Sequence, residues 1–240
     1  MMNFTGIVLI TGTNRGIGYG LTKHFAGRGW RVFATCRHPS EAKDLQAAAR
    51  EFKDGIEVLP LEVRDETSVA AMAKAVAART KSLDLLVNNA GILPGDDNET
   101  AGTLSLAPIL DAFDVNVAGV IRVTQAVLPL LRAGSRPRVV NITSGGGSLK
   151  ATTFPRHYSY SLSKAALNMF TRRAAFDLRP LGITVVCVSP GYIMTDMAGP
   201  GATLPLDEAT AVLATTFASL QPEQTGQWID RFGKPSEFAW

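Results

Sequence analysis

The chain alternates short apolar runs with longer segments of helical periodicity. Residues 6–11 form a continuous apolar run, which is typical of a parallel strand buried on both faces. Further runs predict strands at residues 31–36, 56–61, 84–87, 138–143, 183–189 and 227–230. The segments between them predict helices at residues 65–80, 106–131 and 158–179. Three more helices are predicted: one from the first glycine-rich turn to about residue 29, one after residue 40 and one from about residue 206.

This alternation predicts the fold class. Strands that alternate with helices form a parallel sheet covered on both faces. We therefore expect one doubly wound, Rossmann-type α/β domain over residues 1–240, with a mostly parallel sheet of about seven strands. Two local expectations accompany it: Ser40 caps the alanine-rich helix that follows it, and Pro129 breaks the 106–131 helix near its end.

Composition and charge narrow the function classes. Of the 240 residues, 46% are hydrophobic and 19% charged, which is usual for a soluble globular protein, and no linker, repeat or charge block divides the chain. The net charge of +3 is mild, and the basic residues are spread without clustering. This distribution predicts no nucleic-acid partner.

The cysteines and histidines suggest neither a disulfide nor a metal site. Cys36 and Cys187 lie in strand-like runs and are expected to be buried, reduced thiols. His24, His38 and His157 have no ligand spacing with each other or with the cysteines. No apolar run reaches the ~18 residues of a membrane span, and the amino terminus lacks the basic region of a secretory signal. We therefore expect no membrane partner and a cytoplasmic location.

A glycine-rich turn follows the first strand. Residues 11–18 read TGTNRGIG and lead directly into a helix. Glycines at such a turn allow close approach of a pyrophosphate to the positive end of the helix. Alternatively, the glycines serve only to let the turn pack closely, without binding a ligand. Three residues separate Gly12 from Gly16, so the usual Gly-x-Gly-x-x-Gly spacing is absent.

Tyr160 and Lys164 form the most informative pair. Four residues apart on a predicted helix, they lie on one face, one turn apart. An ammonium group beside a phenol favours the phenolate and so is expected to lower a pKa that starts near ~10. Such a tyrosine suits proton transfer in carbonyl and alcohol chemistry. A chance pair on a solvated helix face is the alternative.

Six motifs, taken together, resemble those of the short-chain dehydrogenase/reductase family in order and approximate spacing. They are the glycine-rich turn, the segment at residues 88–91 (NNAG), Asn116, Ser144, the Tyr160/Lys164 pair and residues 190–191 (PG). The resemblance covers the chain from about residue 6 to the end. Residues 34–37 and 225–240 more narrowly resemble the sniffer-like and C-factor-like carbonyl reductase branch.

The resemblance implies a catalytic set of Asn116, Ser144, Tyr160 and Lys164. Tyr160 is the expected general acid in carbonyl reduction, and Lys164 the residue that lowers its pKa and binds the nicotinamide ribose. Ser144 is expected to polarise the substrate carbonyl, and Asn116 to anchor a water chain that leads to the lysine. Tyr158 lacks a lysine four residues later and is not assigned this role.

The implied cofactor is NADP(H), and no metal is implied. An acidic residue that closes the second strand would favour NAD, but Cys36 and Arg37 stand there, and Arg15 lies in the glycine-rich turn. Alternatively, Arg15 and Arg37 are solvated surface residues that bind no ligand. The expected cofactor-binding residues are Gly12, Asn14, Arg15, Gly16, Ile17, Gly18, Arg37, Glu62, Val63, Asn89, Ala90, Gly91, Tyr160, Lys164, Pro190, Gly191, Ile193 and Thr195. Glu62 departs from the family, which has an aspartate near the adenine.

The expected function is that of an NADP(H)-dependent oxidoreductase that interconverts a carbonyl and an alcohol. A loop at residues 192–205, rich in glycine, proline and small residues, is expected to act as a substrate lid. The resemblance also implies a homodimer or homotetramer that pairs through the 106–131 and 158–179 helices. The alternative function is a non-enzymatic NADP(H)-binding signalling or sensor protein of C-factor type.

Overall fold

A computed structural model describes residues 4–95, 100–153, 156–238 and 240 of the chain. In these ranges seven parallel strands form one sheet: β1 Ile7–Thr11, β2 Arg31–Cys36, β3 Ile56–Pro60, β4 Leu85–Asn88, β5 Arg138–Ile142, β6 Thr184–Val188 and β7 Trp228–Ile229. The strand order across the sheet is 3-2-1-4-5-6-7. All six strand pairs are parallel. The predicted doubly wound fold is thus confirmed.

In the described part of the chain, seven α-helices cover the sheet: α1 Gly16–Gly27, α2 Lys43–Glu51, α3 Glu66–Arg79, α4 Leu106–Phe113, α5 Gly119–Arg132, α6 Tyr158–Leu178 and α7 Leu206–Ser219. A π-helical segment, Asp114–Ala118, joins α4 to α5. Successive side chains of a strand point to opposite faces, and the two faces carry separate cores. Ile10 packs with Phe25 of α1 and Phe217 of α7, whereas Leu9 packs with Met72 of α3 and Val127 of α5.

Pro129 does not break the helix in which it lies, so that expectation is wrong. Helix α5 continues through it to Arg132. Pro129 is exposed, and the next two residues, Leu130 and Leu131, are buried in the core. Their burial contributes about 1.5–3 kcal/mol each, which is enough to offset one missing hydrogen bond near a helix end.

Ser40 does not cap α2, so the second local expectation is also wrong. It lies in a 3₁₀ turn, Pro39–Glu41, and α2 begins two residues after that turn, with Ala42 at the N-cap. Helix α3, by contrast, has a side-chain cap, because Asp65 accepts a hydrogen bond from the amide of Thr67 at 2.9 Å.

The sheet order places the switch point between β1 and β4. From β1 the chain runs outward to β2 and β3, and it then returns to place β4 on the other side of β1. Crossovers therefore diverge at the carboxyl ends of these two strands, where ligands of open parallel sheets bind. No helix in the described ranges has both the length and the apolarity to cross a bilayer.

Candidate active site

Tyr160 and Lys164 lie on one face of α6, as their spacing predicts. The ammonium nitrogen of Lys164 is 5.4 Å from the centre of the Tyr160 ring. Lys164 is only 5% exposed, and its ammonium donates a hydrogen bond to the carbonyl of Ile142, at the end of β5, at 2.8 Å. The carboxyl end of the central sheet therefore fixes the lysine beside the tyrosine.

The pKa of Tyr160 shifts in the direction opposite to the expectation from its lysine neighbour. Burial of the phenol raises its pKa above the ordinary value, and a hydrogen bond with the Ser144 side chain acts in the lowering direction. Burial also lowers the pKa of Lys164 to about 8, against an opposing effect of nearby Cys187. For both groups desolvation is larger than the opposing contribution, because both are buried away from water. Near neutral pH Tyr160 is a protonated phenol, which is a proton donor.

Ser144 and Thr143 point in different directions at the end of β5. The Ser144 side chain is near enough to Tyr160 to act on its pKa, and its hydroxyl accepts from the amide of Gly146 at 3.1 Å. Thr143 is buried, and its hydroxyl donates to the side chain of Asn168 at 2.6 Å. The structure thus places Ser144 at the site and Thr143 behind it.

Asn116 is fully buried in the π-helical segment. Its side-chain oxygen accepts from the amide of Ile92 at 2.9 Å, and its amide group donates to the Ile92 carbonyl and to the Ser163 hydroxyl, each at 2.9 Å. π-helical segments are rare and are often found at functional sites. Asn116 links the loop after β4 to the residue immediately before Lys164.

The glycine-rich turn and the segment after β4 are bound to each other at the switch point. The side-chain amide of Asn89 donates to the carbonyls of Thr11 and Gly12 at 2.8 and 2.9 Å. A Cβ added at Gly12, which has φ +70°, would lie 2.9 Å from the Cα of Ala90. One at Gly18 would collide with the Gly12 carbonyl. These positions require glycine because two backbones meet there.

The amino end of α1 is suited to an anion. No acidic residue lies in its first turn, and no side chain caps its first amides. Unpaired amides and the helix dipole together favour a phosphate at such an end. The glycine-rich turn and this helix end fit the pyrophosphate of a dinucleotide. Gly16 and Ile17 are the first two residues of α1, and Asn14 precedes its N-cap, Arg15.

The two arginines that are expected to bind a ribose phosphate have different surroundings. Arg37 is exposed just beyond the carboxyl end of β2. Arg15 is exposed at the start of α1 and forms an ion pair with Asp196 at 2.7 Å. Asp196 belongs to the predicted lid, so this acidic partner was not expected from the sequence.

The predicted lid is a loop with internal hydrogen bonds that contacts the glycine-rich turn. The amide of Met194 donates to the carbonyl of Leu204 at 2.9 Å, and the Tyr192 hydroxyl donates to the carbonyl of Ala198 at 2.6 Å. A Cβ added at Gly16 would lie 3.6 Å from the Thr195 side chain. Thr195 thus sits over the turn.

The remaining predicted cofactor residues lie at the ends of β3, β4 and β6. The Glu62 carboxylate accepts from the amide of Arg64 at 3.1 Å, and the Val63 side chain is buried against Gly119 of α5. Ala90 and Gly91 continue β4, and a Cβ at Gly91 would be 3.2 Å from the Asn116 side chain. After β6, Pro190 and Ile193 are buried and Gly191 is exposed with φ +97°.

Two residues near the site were missed by the sequence analysis. Asn168 of α6 bonds Thr143, and the Phe238 ring lies against Gly145, next to Ser144. Asn168 follows Lys164 by one helical turn, so its position could have been found from helical periodicity. Phe238 lies in the 225–240 segment that resembles the sniffer-like branch, but no spacing in the sequence connects it with Ser144. Among the described residues, no cluster of three histidine, cysteine or carboxylate side chains could hold a metal ion.

Comparison with known proteins identifies the family. The sequence model of the short chain dehydrogenase family matches residues 6–203. The chain belongs to the short-chain dehydrogenase family. Within that family, it is 40% identical over 161 residues to C-signal of Myxococcus xanthus, a match that covers 67% of this chain and 95% of C-signal.

Two solved structures of carbonyl reductases are similar along almost the whole chain. The carbonyl reductase Sniffer of Drosophila melanogaster is 31% identical, with a TM-score of 0.92, over 99% of this chain and 100% of that one. NADPH-bound carbonyl reductase from chicken fatty liver is 32% identical, with a TM-score of 0.91 and the same coverage. The chain therefore groups with the sniffer-like and C-factor-like branch, as the sequence motifs predicted.

Proposed function

We propose that this short-chain dehydrogenase is an NADP(H)-dependent carbonyl reductase. The observation that carries the proposal is the arrangement of Tyr160, which lies next to Ser144 and beside the buried ammonium group of Lys164. A proton donor, a carbonyl-polarising hydroxyl and a fixed cation meet at the carboxyl end of the sheet. The NADPH-bound chicken carbonyl reductase supports the choice of cofactor.

Each of these residues has a distinct role in the proposed reaction. The bound cofactor supplies the hydride. Ser144 donates a hydrogen bond to the substrate carbonyl oxygen, where negative charge develops. Tyr160 delivers its proton to that oxygen, and its raised pKa keeps the proton available near neutral pH. Lys164, held by Ile142, orients the cofactor ribose and stabilises the phenolate that remains.

The residues that would hold the cofactor surround the switch point. The cradle of Gly12 and Gly18 and the amino end of α1 would receive the pyrophosphate. Arg15 and Arg37 would bind the phosphate on the adenosine ribose, because guanidinium groups match phosphate in geometry and charge. The loop over Gly16 would close the site from solvent.

Substitution of Tyr160 tests the catalytic proposal. In Tyr160→Phe the phenolic proton is missing, so we expect turnover to fall about 10²–10⁴-fold, with unchanged NADPH affinity. Turnover is followed as NADPH consumption with an aldehyde, a quinone, a ketosteroid and a sugar-derived carbonyl, and binding as NADPH fluorescence. Tyr158→Phe is the matched control and should retain wild-type turnover. Full turnover in Tyr160→Phe would contradict the proposal.

A second candidate function is an NADP(H)-binding signalling or sensor role, which the similarity to C-signal favours. The same variant separates the two. If cells that carry Tyr160→Phe keep a phenotype that cells without the gene lose, then binding rather than turnover is the function in those cells. Loss of the phenotype in both supports catalysis.

A further inference from the structure

The segment after Ser144 is a turn of three glycines, Gly145–Gly147, that lies between two other parts of the fold. A Cβ added at Gly147 would lie 2.8 Å from the Lys164 backbone carbon on α6. A Cβ added at Gly145 would lie 2.7 Å from the tip of the Phe238 ring. Neither side has room for a methyl group, so the turn is in close contact with α6 on one side and with Phe238 on the other.

Hydrogen bonds hold the turn to α6. The Asn168 side chain accepts from the Thr143 hydroxyl at 2.6 Å and donates to the carbonyl of Gly147 at 3.3 Å. Asn168 therefore binds the chain on both sides of Ser144. Among the described residues, Phe238 makes no hydrogen bond to the glycine turn. It contacts the backbone of Gly145 through its ring.

The segment that carries Phe238 is anchored to the end of the sheet. The amide of Ser236 donates to the carbonyl of Trp228 at 2.9 Å, and the rings of Phe238 and Trp228 are 5.9 Å apart. Trp228 is buried in β7, and its indole donates to the Ser189 hydroxyl at 2.9 Å. The Trp240 ring packs on Trp228 at 5.6 Å. Phe238 is thus supported by a fixed aromatic cluster.

We propose that Phe238 is a positioning residue for Ser144. Its ring presses the glycine turn against α6, and the turn holds the Ser144 hydroxyl through the amide of Gly146. Without the ring, the turn can move away from α6 and carry the hydroxyl out of reach of Tyr160. Because Ser144 acts on the substrate oxygen, this inference rests on the proposed function.

Kinetics of Phe238→Ala tests the proposal. A shift of the order of an ångström at a catalytic group can lower turnover by up to about 10²-fold, so we expect kcat to fall roughly tenfold or more while NADPH affinity stays unchanged. Phe238→Leu keeps an apolar side chain against the turn and adds no atom at the ring tip that contacts Gly145, so it should retain more kcat than Phe238→Ala. Phe232→Ala, which removes an exposed phenylalanine of the same segment, is the matched control and should behave as wild type.

A double-mutant cycle with Gly145→Ala isolates the contact. In the wild-type background the new methyl group meets the Phe238 ring, so kcat should fall. In Phe238→Ala the ring is absent, so the same methyl group should have little further effect. If the fold-losses in kcat of the two single variants multiply in the double variant, the proposal is overturned. Wild-type kcat in Phe238→Ala would overturn it too.

Hydrogen exchange of the peptide that spans residues 143–148 separates failure of this inference from failure of the proposed function. Phe238→Ala should exchange faster in this peptide, with an unchanged rate in α1 as internal reference. If the wild-type protein turns over none of the carbonyl probes, the proposed function fails. The exchange rates alone then show whether Phe238 holds the glycine turn in place. Unchanged exchange at 143–148 would overturn the positioning role.

Discussion

The side-chain amide of Asn116 donates a hydrogen bond to the hydroxyl of Ser163 at 2.9 Å, and Ser163 immediately precedes Lys164. The Ser163 hydroxyl in turn donates to the carbonyl of Tyr160 at 2.7 Å. A residue of the π-helical segment is therefore linked to the backbone between the two residues of the proposed proton-transfer pair. Asn116 also binds both backbone groups of Ile92.

Replacement of Asn116 by alanine should destabilise the fold as well as the site. It leaves the partly buried amide and carbonyl of Ile92 without their side-chain partner, which costs about 1–3 kcal/mol of the free energy of unfolding. Chemical denaturation measures this loss. Gln125→Ala, an exposed side chain of the adjoining α5, is the control and should change stability little. Equal stability of both variants would show that the Asn116 network contributes nothing.

The sequence predicted the features that local spacing determines. The interval from Tyr160 to Lys164 specifies one helix face, and the glycines at 12 and 18 specify a close turn, so both appear where they were expected. The direction of the Tyr160 pKa was wrong because it depends on burial by distant parts of the chain. Sequence spacing alone contains no measure of desolvation.

Contacts between residues far apart in sequence were also missed. The Arg15–Asp196 ion pair joins the glycine-rich turn to the predicted lid, and the Phe238 contact with Gly145 joins the segment after β7 to the turn after Ser144. Neither pair has a helical or strand periodicity that connects its members. Only the strand order, which brings these loops to one edge of the sheet, places them together.

Lys164 should make the stability of the protein depend on pH. Its pKa is about 8 in the folded protein and 10.5 ordinarily, so between these values the unfolded chain binds more protons and stability gains from rising pH. At about 1.4 kcal/mol per unit, the full gain is of the order of 3 kcal/mol. The raised pKa values of Tyr160 and Cys187 act oppositely, because their stabilisation is lost as pH rises.

Wild type and Lys164→Met both contain Tyr160 and Cys187, so the contributions of these two groups cancel when the stabilities of the two proteins are compared. Unfolding free energies are measured by denaturant titration at several pH values from neutral to above 10. The variant should be the more stable protein near neutral pH, and its advantage should shrink as pH passes through about 8 and beyond. A constant difference across this range would mean that the folded lysine titrates normally.

Cofactor preference should depend on both arginines and, with opposite sign, on Asp196. Arg37→Ala and Arg15→Ala each remove a phosphate partner, so NADPH affinity should fall about tenfold or more while NADH affinity changes little. Asp196→Asn releases Arg15 from its ion pair, so NADPH affinity should rise. Fluorescence titration with both cofactors measures these effects. Equal losses for NADH and NADPH would show that the arginines do not read the ribose phosphate.

Apolar side chains on α4 and α6 predict the surface through which subunits pair. Leu106, Leu110 and Phe113 follow one face of α4 at intervals of four and three residues, and Leu110 is 66% exposed. Exposed Leu162, Met169 and Phe176 recur every seven residues on α6 and so form one stripe. The two helices pack against each other. Large apolar side chains that are exposed along two packed helices favour an interaction site.

A charge on this surface should therefore dissociate the assembly. We expect the wild-type protein to sediment as a dimer or tetramer and Leu110→Glu to sediment as a smaller species, because a buried, unpaired carboxylate is costly at an apolar interface. Leu149→Glu places the same charge at a leucine that is exposed outside α4 and α6, and it should leave the assembly intact. Sedimentation velocity of the three proteins at matched concentration measures the difference. A wild-type monomer, or an intact assembly in Leu110→Glu, would show that subunits do not pair through this surface.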